Sequence, residues 1–225
     1  MARLSGLLHD PAVVEREKLV AYLVRLQTHE GGFAGEKGDG GEEAHAGFSY
    51  CALASLALLG AVDRVADWGG AVRWAAQRQR ALEGGCDGRT NKLMDACYSF
   101  WAGALPPLLV LGASVPLERR GREPPPPPPR GVLHAGALAR YLLVVSQDVE
   151  GGGFVDKLGA DVDYYHTCYT LSGLAVAVHD LEQQHGGGKS VWGGLLEGRV
   201  RRVDVPLNLC LETLRAWDVA CPLPD

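Results

Sequence analysis

Three stretches of this chain repeat one another: RLQTHEGGFAG…EEAHAGFSYCALASLALLG, RQRALEGGCDG…KLMDACYSFWAGALPPLLVLG and VVSQDVEGGGF…DYYHTCYTLSGLAVAVH. Like sequences fold alike and pack on one another, so a repeat limits the possible folds more than composition does. The anchor glutamines are Gln27, Gln79 and Gln147, 52 and 68 residues apart, in or just beyond the spacing of solenoids and closed arrays. The longer interval holds Arg122 to Arg130, REPPPPPPR, which cannot be helical and reads as a surface insertion over residues 118–131.

Each unit reads as helix, glycine-rich turn, helix. Apolar residues recur at helical spacing from Val13 to Leu26, and Gly31-Gly32 follow as a stop signal. The second helix, His45 to Leu59, is apolar on nearly all sides, which marks a helix packed on both faces. Trp74 belongs to the next outer helix, and Tyr98 to Leu111 is its inner partner, with Pro106-Pro107 expected to kink or shorten it. Leu138 to Val145 and Thr167 to Val178 repeat the scheme, and an amphipathic segment from Pro206 to Trp217, opened by the proline, closes the chain. Stacked two-helix units with the more apolar helices inside predict an all-α fold, an incomplete α-α toroid forming a single partial domain over residues 1–225. Three and a half units do not close a ring, so the rest of the array is expected to be missing or supplied by another chain.

A net charge of −5 argues against a protein that mainly grips nucleic acid. The longest apolar run, Cys51 to Val62, is too short to span a membrane and is interrupted by Gly60; no secretory signal precedes it. The expected compartment is the cytoplasm. Its six cysteines are then reduced, and metal binding or burial explains them better than disulfides.

The densest stretch runs from Glu83 to Trp101, EGGCDGRTNKLMDACYSFW. It places two cations, Arg89 and Lys92, an Asp-x-Cys pair, Asp95 and Cys97, and the aromatic Tyr98 and Trp101 behind a Gly-Gly turn. Aligning the inner helices on Phe48, Tyr98 and Tyr169 superposes His45, Asp95 and His166, so one slot in the first helical turn is polar in every unit. Helix N-termini attract anions, and Arg89 and Lys92 lie close by, so a phosphate or diphosphate is the natural occupant of part of this rim. Asp95, Cys97 and His166 offer an oxygen, a sulfur and a nitrogen, the three-ligand pattern of catalytic zinc. The same residues also fit a helix cap, a small buried thiol and a packed imidazole. Cys51, Cys168, Cys210 and Cys221 read as ordinary buried or terminal thiols, and Cys86 is unexplained.

These residues resemble the β subunits of protein prenyltransferases, from about Val13 to Trp217 and most specifically in EGGCDGRTNKLMDACYSFW and DYYHTCYTLSGL. The form GRxNKLxDxCYSFW is similar to the farnesyltransferase branch. The resemblance implies that Asp95, Cys97 and His166 bind one zinc per chain, which takes the thiol of a substrate protein's C-terminal Cys-a-a-X motif. It implies that His45, Arg89, Lys92 and Tyr98 hold the diphosphate of farnesyl diphosphate. Trp101, Cys51 and Gly47 match funnel positions, Tyr165 a position beside zinc and peptide, and Asp156 a carboxylate linked to magnesium at the diphosphate. Tyr169 agrees with the farnesyl type. The implied partner is a prenyltransferase α subunit in a heterodimer. A family β subunit has roughly twice as many repeats, the absent ones being expected before Met1. The alternatives are a geranylgeranyltransferase type I β subunit, a non-catalytic remnant acting as a scaffold, and a terpene cyclase, whose acidic protonating motif is not found.

Overall fold

The computed structural model of the protein describes residues 8, 10–36, 41–114, 125–129, 131–185 and 199–220. Much of the expected insertion, like Cys221, lies outside them. Helices alternate as the repeat requires: α1 (Arg16–Arg25) and α2 (Ala46–Leu58), then α3 (Trp68–Ala76) with α4 (Tyr98–Trp101) and α5 (Leu105–Ala113), then α6 (Ala135–Tyr141) and α7 (Tyr164–His185). The first helix of each unit is outer and the remainder inner. Helix α4 packs on both α2 and α7, while α6 lies against α7. Helix α2 buries Ala46, Ser49, Tyr50, Ala52, Leu53, Ala54 and Leu56, while Phe48 and Cys51 lie on a face left exposed, so the helix is not covered on nearly all sides as expected. An outer helix covers one side of it and the next inner helix another.

Short caps start the helices. Asp67 accepts the Gly70 N–H at 2.8 Å, and the Nδ1 atoms of His134 and His45 accept those of Ala137 and Gly47 at 3.0 Å. Each such cap is worth about 1 kcal/mol. Inner helices are also joined across units: the N–H of Ala46 donates to the Gly88 carbonyl at 2.8 Å, and that of Ala96 to the Asp156 carbonyl at 2.9 Å. The loop leading into one inner helix thereby lies over the start of the inner helix before it.

The prolines interrupt one inner helix as expected, and two other elements depart from expectation. The inner helix from Tyr98 to Leu111 is two helices, broken at residues 102–104. Pro106 and Pro107 cannot donate to the carbonyls of Ala102 and Gly103, so the ladder stops before them and Pro106 enters the first turn of α5. The segment Leu138 to Val145 begins as α6 and finishes in a wider π turn, Leu142–Ser146. Pro206 does not open a helix. It sits in the turn of a small antiparallel hairpin, β1 (Val203–Asp204) and β2 (Leu209–Cys210), and α8 (Leu211–Ala220) starts only afterwards. Asn208, with φ 51°, makes the left-handed turn that a helix there would forbid.

The core joins all three units. Phe33, Leu53, Leu56, Trp74, Phe100, Leu105, Leu108, Leu109, Leu138 and Leu142 are fully buried. Among the described residues no helix is long and apolar enough to cross a membrane.

Candidate metal and diphosphate site

Asp95, Cys97 and His166 converge. One potential ligand atom from each lies within 4.8 Å of the others, although His166 comes from a different unit. Asp95 ends the loop before α4, where its Oδ1 accepts the Cys97 N–H at 2.8 Å and lies 3.3 Å from His166 Nε2. The His166 ring is held from behind: Nδ1 is 2.6 Å from Asp163 Oδ2, and the His166 backbone N–H donates to Asp163 Oδ1 at 2.8 Å. With Nδ1–H engaged by a carboxylate, Nε2 is the atom offered to a metal. Burial, the largest influence, pulls the His166 pKa down, but Asp163, Asp95 and Asp156 together raise it above its ordinary value. The Cys97 thiol is pushed strongly up, by burial first and then by the Asp95 carboxylate beside it. A buried sulfur near the Asp95 and Asp156 carboxylates is a setting that favours a cation, and a set of one sulfur, one nitrogen and one carboxylate oxygen suits zinc.

The second cluster lies beside the first. His45 Nδ1 accepts a backbone N–H, so in the neutral ring the proton sits on Nε2, which is 3.1 Å from the Tyr98 hydroxyl oxygen. Burial, followed by the Arg89 charge, lowers the His45 pKa and keeps that ring neutral. The Nε2–H therefore donates to Tyr98, whose own O–H is left to donate to a ligand. Gly88 allows the loop to pass this ring; a Cβ there would stand 2.0 Å from Tyr98 Cζ. Arg89 pairs with Glu43 at 3.0 Å, and Lys92 is exposed. Asp156 has one oxygen against Lys157, while its Oδ1 is buried without a hydrogen-bond partner. That orphaned oxygen is a place for a small cation or its water.

An aromatic wall adjoins both clusters. Trp101 stacks on Tyr169 with centroids 4.2 Å apart and donates its Nε1–H to the Tyr165 hydroxyl at 3.0 Å, while Tyr50 packs against Phe100 and Trp101. Gly47 lies in the first turn of α2. Cys51 and Cys168 are exposed, not buried as expected, because the inner-helix face that carries them looks away from the core. Cys86, unexplained in the sequence, is buried at the glycine turn.

The prenyltransferase α-α toroid domain matches residues 2–209. The chain belongs to the prenyltransferase family. Its relatives include the protein farnesyltransferase β subunit of Pyricularia oryzae, 37% identical over 76% of this chain and 33% of that one. The geranylgeranyl transferase type-1 β subunit of Arabidopsis thaliana is 30% identical over 76% of this chain and 41% of its own length. The solved Candida albicans protein geranylgeranyltransferase-I, complexed with GGPP, shares the fold with a TM-score of 0.69 at 20% identity, covering 96% of this chain and 53% of that one. The chain thus spans less than half the length of the curated relatives it matches.

Sequence reading missed the side chains that hold this prenyltransferase site in place. Asp163 stands three residues before His166, and that N-cap spacing was a usable signal. Buried Arg78 and half-exposed Arg80 both pair with Asp87, with Arg78 2.7 Å from a carboxylate that is wholly buried. The pairing joins the end of α3 to the base of the loop carrying Arg89 and Lys92. Glu43, the Arg89 partner, belongs to another unit, and no local spacing reveals it.

Proposed function

We propose that this chain is the metal- and diphosphate-binding half of a protein farnesyltransferase β subunit, a cytoplasmic enzyme working with an α subunit on Cys-a-a-X proteins. On this reading residues 1–225 form one partial barrel domain with a proline-rich surface insertion. The observation that carries it is the meeting of Asp95, Cys97 and His166 beside the His45–Tyr98 pair, two clusters drawn from all three units. Asp95, Cys97 and His166 would hold the zinc. Zinc bound there supplies a positive charge that keeps a substrate thiol ionised at neutral pH.

The chain's own groups act on the donor. The Tyr98 hydroxyl, released by His45, donates a hydrogen bond to the diphosphate, and Arg89 and Lys92 supply positive charge. These contacts strengthen as negative charge collects on the leaving diphosphate, so they stabilise the transition state more than the bound donor. For Arg89 to turn inward, its exposed pair with Glu43 must open, a modest cost. Trp101, Tyr169 and the exposed Cys51 face line the apolar path for the isoprenoid, with Gly47 at its rim. Tyr165, tethered to Trp101, stands where the peptide approaches Cys97. Asp156 Oδ1 suits magnesium accompanying the diphosphate, through charge neutralisation of the leaving group.

The test is a single-turnover assay: the chain, mixed with a prenyltransferase α subunit, zinc and a Cys-a-a-X peptide, receives labelled farnesyl diphosphate. Formation of a farnesyl thioether is expected. Peptide binding without transfer would instead make the chain a scaffold. The likeness to geranylgeranyl transferase relatives favours one second reading, the type I β subunit, and faster transfer from the longer donor would establish it.

A further inference from the structure

Three consecutive amides around His45 are each held by a different partner. The N–H of Ala44 donates to Glu30 Oε2 at 2.9 Å, that of His45 to the Phe33 carbonyl at 3.0 Å and that of Ala46 to the Gly88 carbonyl at 2.8 Å. Glu30 stands in the glycine turn of the first unit. Gly31 after it, at φ +104°, seats so closely on the next outer helix that a Cβ there would lie 2.3 Å from the Gly70 backbone, so the carboxylate reaches out from a fixed base.

Arg89 is tethered to the first unit through both of its neighbours. On one side Gly88 accepts from Ala46; on the other the Thr90 hydroxyl donates to Glu30 Oε1 at 3.3 Å. The Thr90 oxygen also accepts from Arg78 Nη2 at 3.4 Å, and Arg78 is itself fixed by Asp87 and by the Trp74 carbonyl, which accepts from its Nε at 3.2 Å. A hydroxyl both donates and accepts, so Thr90 can join the buried arginine of the second unit to the carboxylate of the first. Both of its bonds are long and stabilise the fold little. What they set is where Arg89 stands.

We propose that Glu30 and Thr90 are positioning residues for the diphosphate, holding Arg89 at a set distance from the His45–Tyr98 pair so that the guanidinium and the Tyr98 hydroxyl converge on one anion. The inference rests on the diphosphate reading of that cluster. Glu30 carries the wrong charge to attract a diphosphate, yet it stands among the cations because one carboxylate serves both loops: Oε2 takes the residue before His45, and Oε1 the residue after Arg89. When the Arg89 side chain leaves Glu43 for the ligand, the tethers at Gly88 and Thr90 stay made. A cation on a loop already ordered binds without first giving up the loop's freedom, and affinity rises by that difference.

Calorimetric titration of the full chain with inorganic pyrophosphate tests it, with Thr90→Val, Thr90→Ser, Glu30→Ala and Arg89→Ala as variants. Thr90 is exposed and valine has its shape, so both Thr90 variants should keep the wild-type urea midpoint. Thr90→Val should weaken pyrophosphate binding about 5–10-fold, and Thr90→Ser, which keeps the hydroxyl, should bind as the wild type does. Glu30→Ala should weaken it at least as much, with no further loss on adding Thr90→Val. Because Thr90 acts through Arg89, the Thr90→Val loss should vanish in the Arg89→Ala background, a coupling that a general loosening of the fold does not produce. Unchanged affinity in Thr90→Val, where Arg89→Ala binds more weakly, would overturn the positioning role and leave the diphosphate reading standing. So would a Thr90→Val loss that persists undiminished without Arg89. A wild type that binds no pyrophosphate, or an Arg89→Ala variant that binds it equally well, would overturn both.

Discussion

Asp163 is the residue on which the proposed zinc site turns, although it is not among the proposed ligands. By holding Nδ1 of His166 it fixes the ring and leaves Nε2 as the atom that a metal would take. Asp163→Ala should weaken zinc binding by roughly 10–100-fold, as read by chelator competition, while Cys97→Ala should lose the expected single zinc altogether. Full zinc content in the Cys97 variant would remove that residue from the set. The raised His166 pKa gives a pH dependence with a definite sign. A raised value means the ring keeps its proton to higher pH, and the metal must displace that proton. Zinc affinity should therefore be complete above the raised value and decline as pH falls through it, starting above the ~6.5 of free imidazole. In Asp163→Ala the decline should begin at lower pH.

At the scale of the element, the loop from Gly88 to Leu93 is positioned by what lies beneath it. Arg78 stacks on the Trp74 ring at 4.7 Å and meets Asp87, whose carboxyl pKa is raised because burial outweighs the attraction of both arginines. Arg78→Met leaves that buried carboxylate with one guanidinium fewer and should cost ~3–5 kcal/mol in urea unfolding. An unchanged unfolding midpoint would show that Arg80 alone satisfies Asp87. Above the loop, Gly88→Ala pushes a methyl into the Tyr98 ring. Its effect should fall on diphosphate affinity, measured calorimetrically with inorganic pyrophosphate, and leave zinc content intact. Loss of zinc along with pyrophosphate would mean the two clusters are not separable.

Over the whole molecule, stability should behave as a sum of units and joints. Gln27 makes hydrogen bonds to Gly31, within its own turn, and to Asp67, in the next unit. Gln27→Ala should lower stability by ~1–3 kcal/mol and, more tellingly, uncouple the first unit. In hydrogen exchange, α1 and α2 should lose protection ahead of α4 and α7. Uniform loss across all three units would show that the shared core around Phe100 and Leu108, rather than the glutamine joints, carries the cooperativity.

The sequence by itself determined the unit and its order. Period, glycine turns and apolar inner helices are local properties, and they located the helical segments of the three units, the Asp95-x-Cys97 pair and the polar slot at the inner-helix starts, because those features need only neighbours within a turn or two. Tertiary structure decided what met across units. His166 reaches Asp95 because α4 and α7 pack together, Glu43 reaches Arg89 because the first loop lies against the second, and Asp87 is buried because α3 ends beneath it. It also decided where the repeat's helical pattern fails, since the chain turns back in a hairpin at Pro206 where the sequence points to a helix. Spacing along a chain reports which side chains share a helix face. Which faces then meet is set by packing between helices far apart in sequence, and that information is in no single unit.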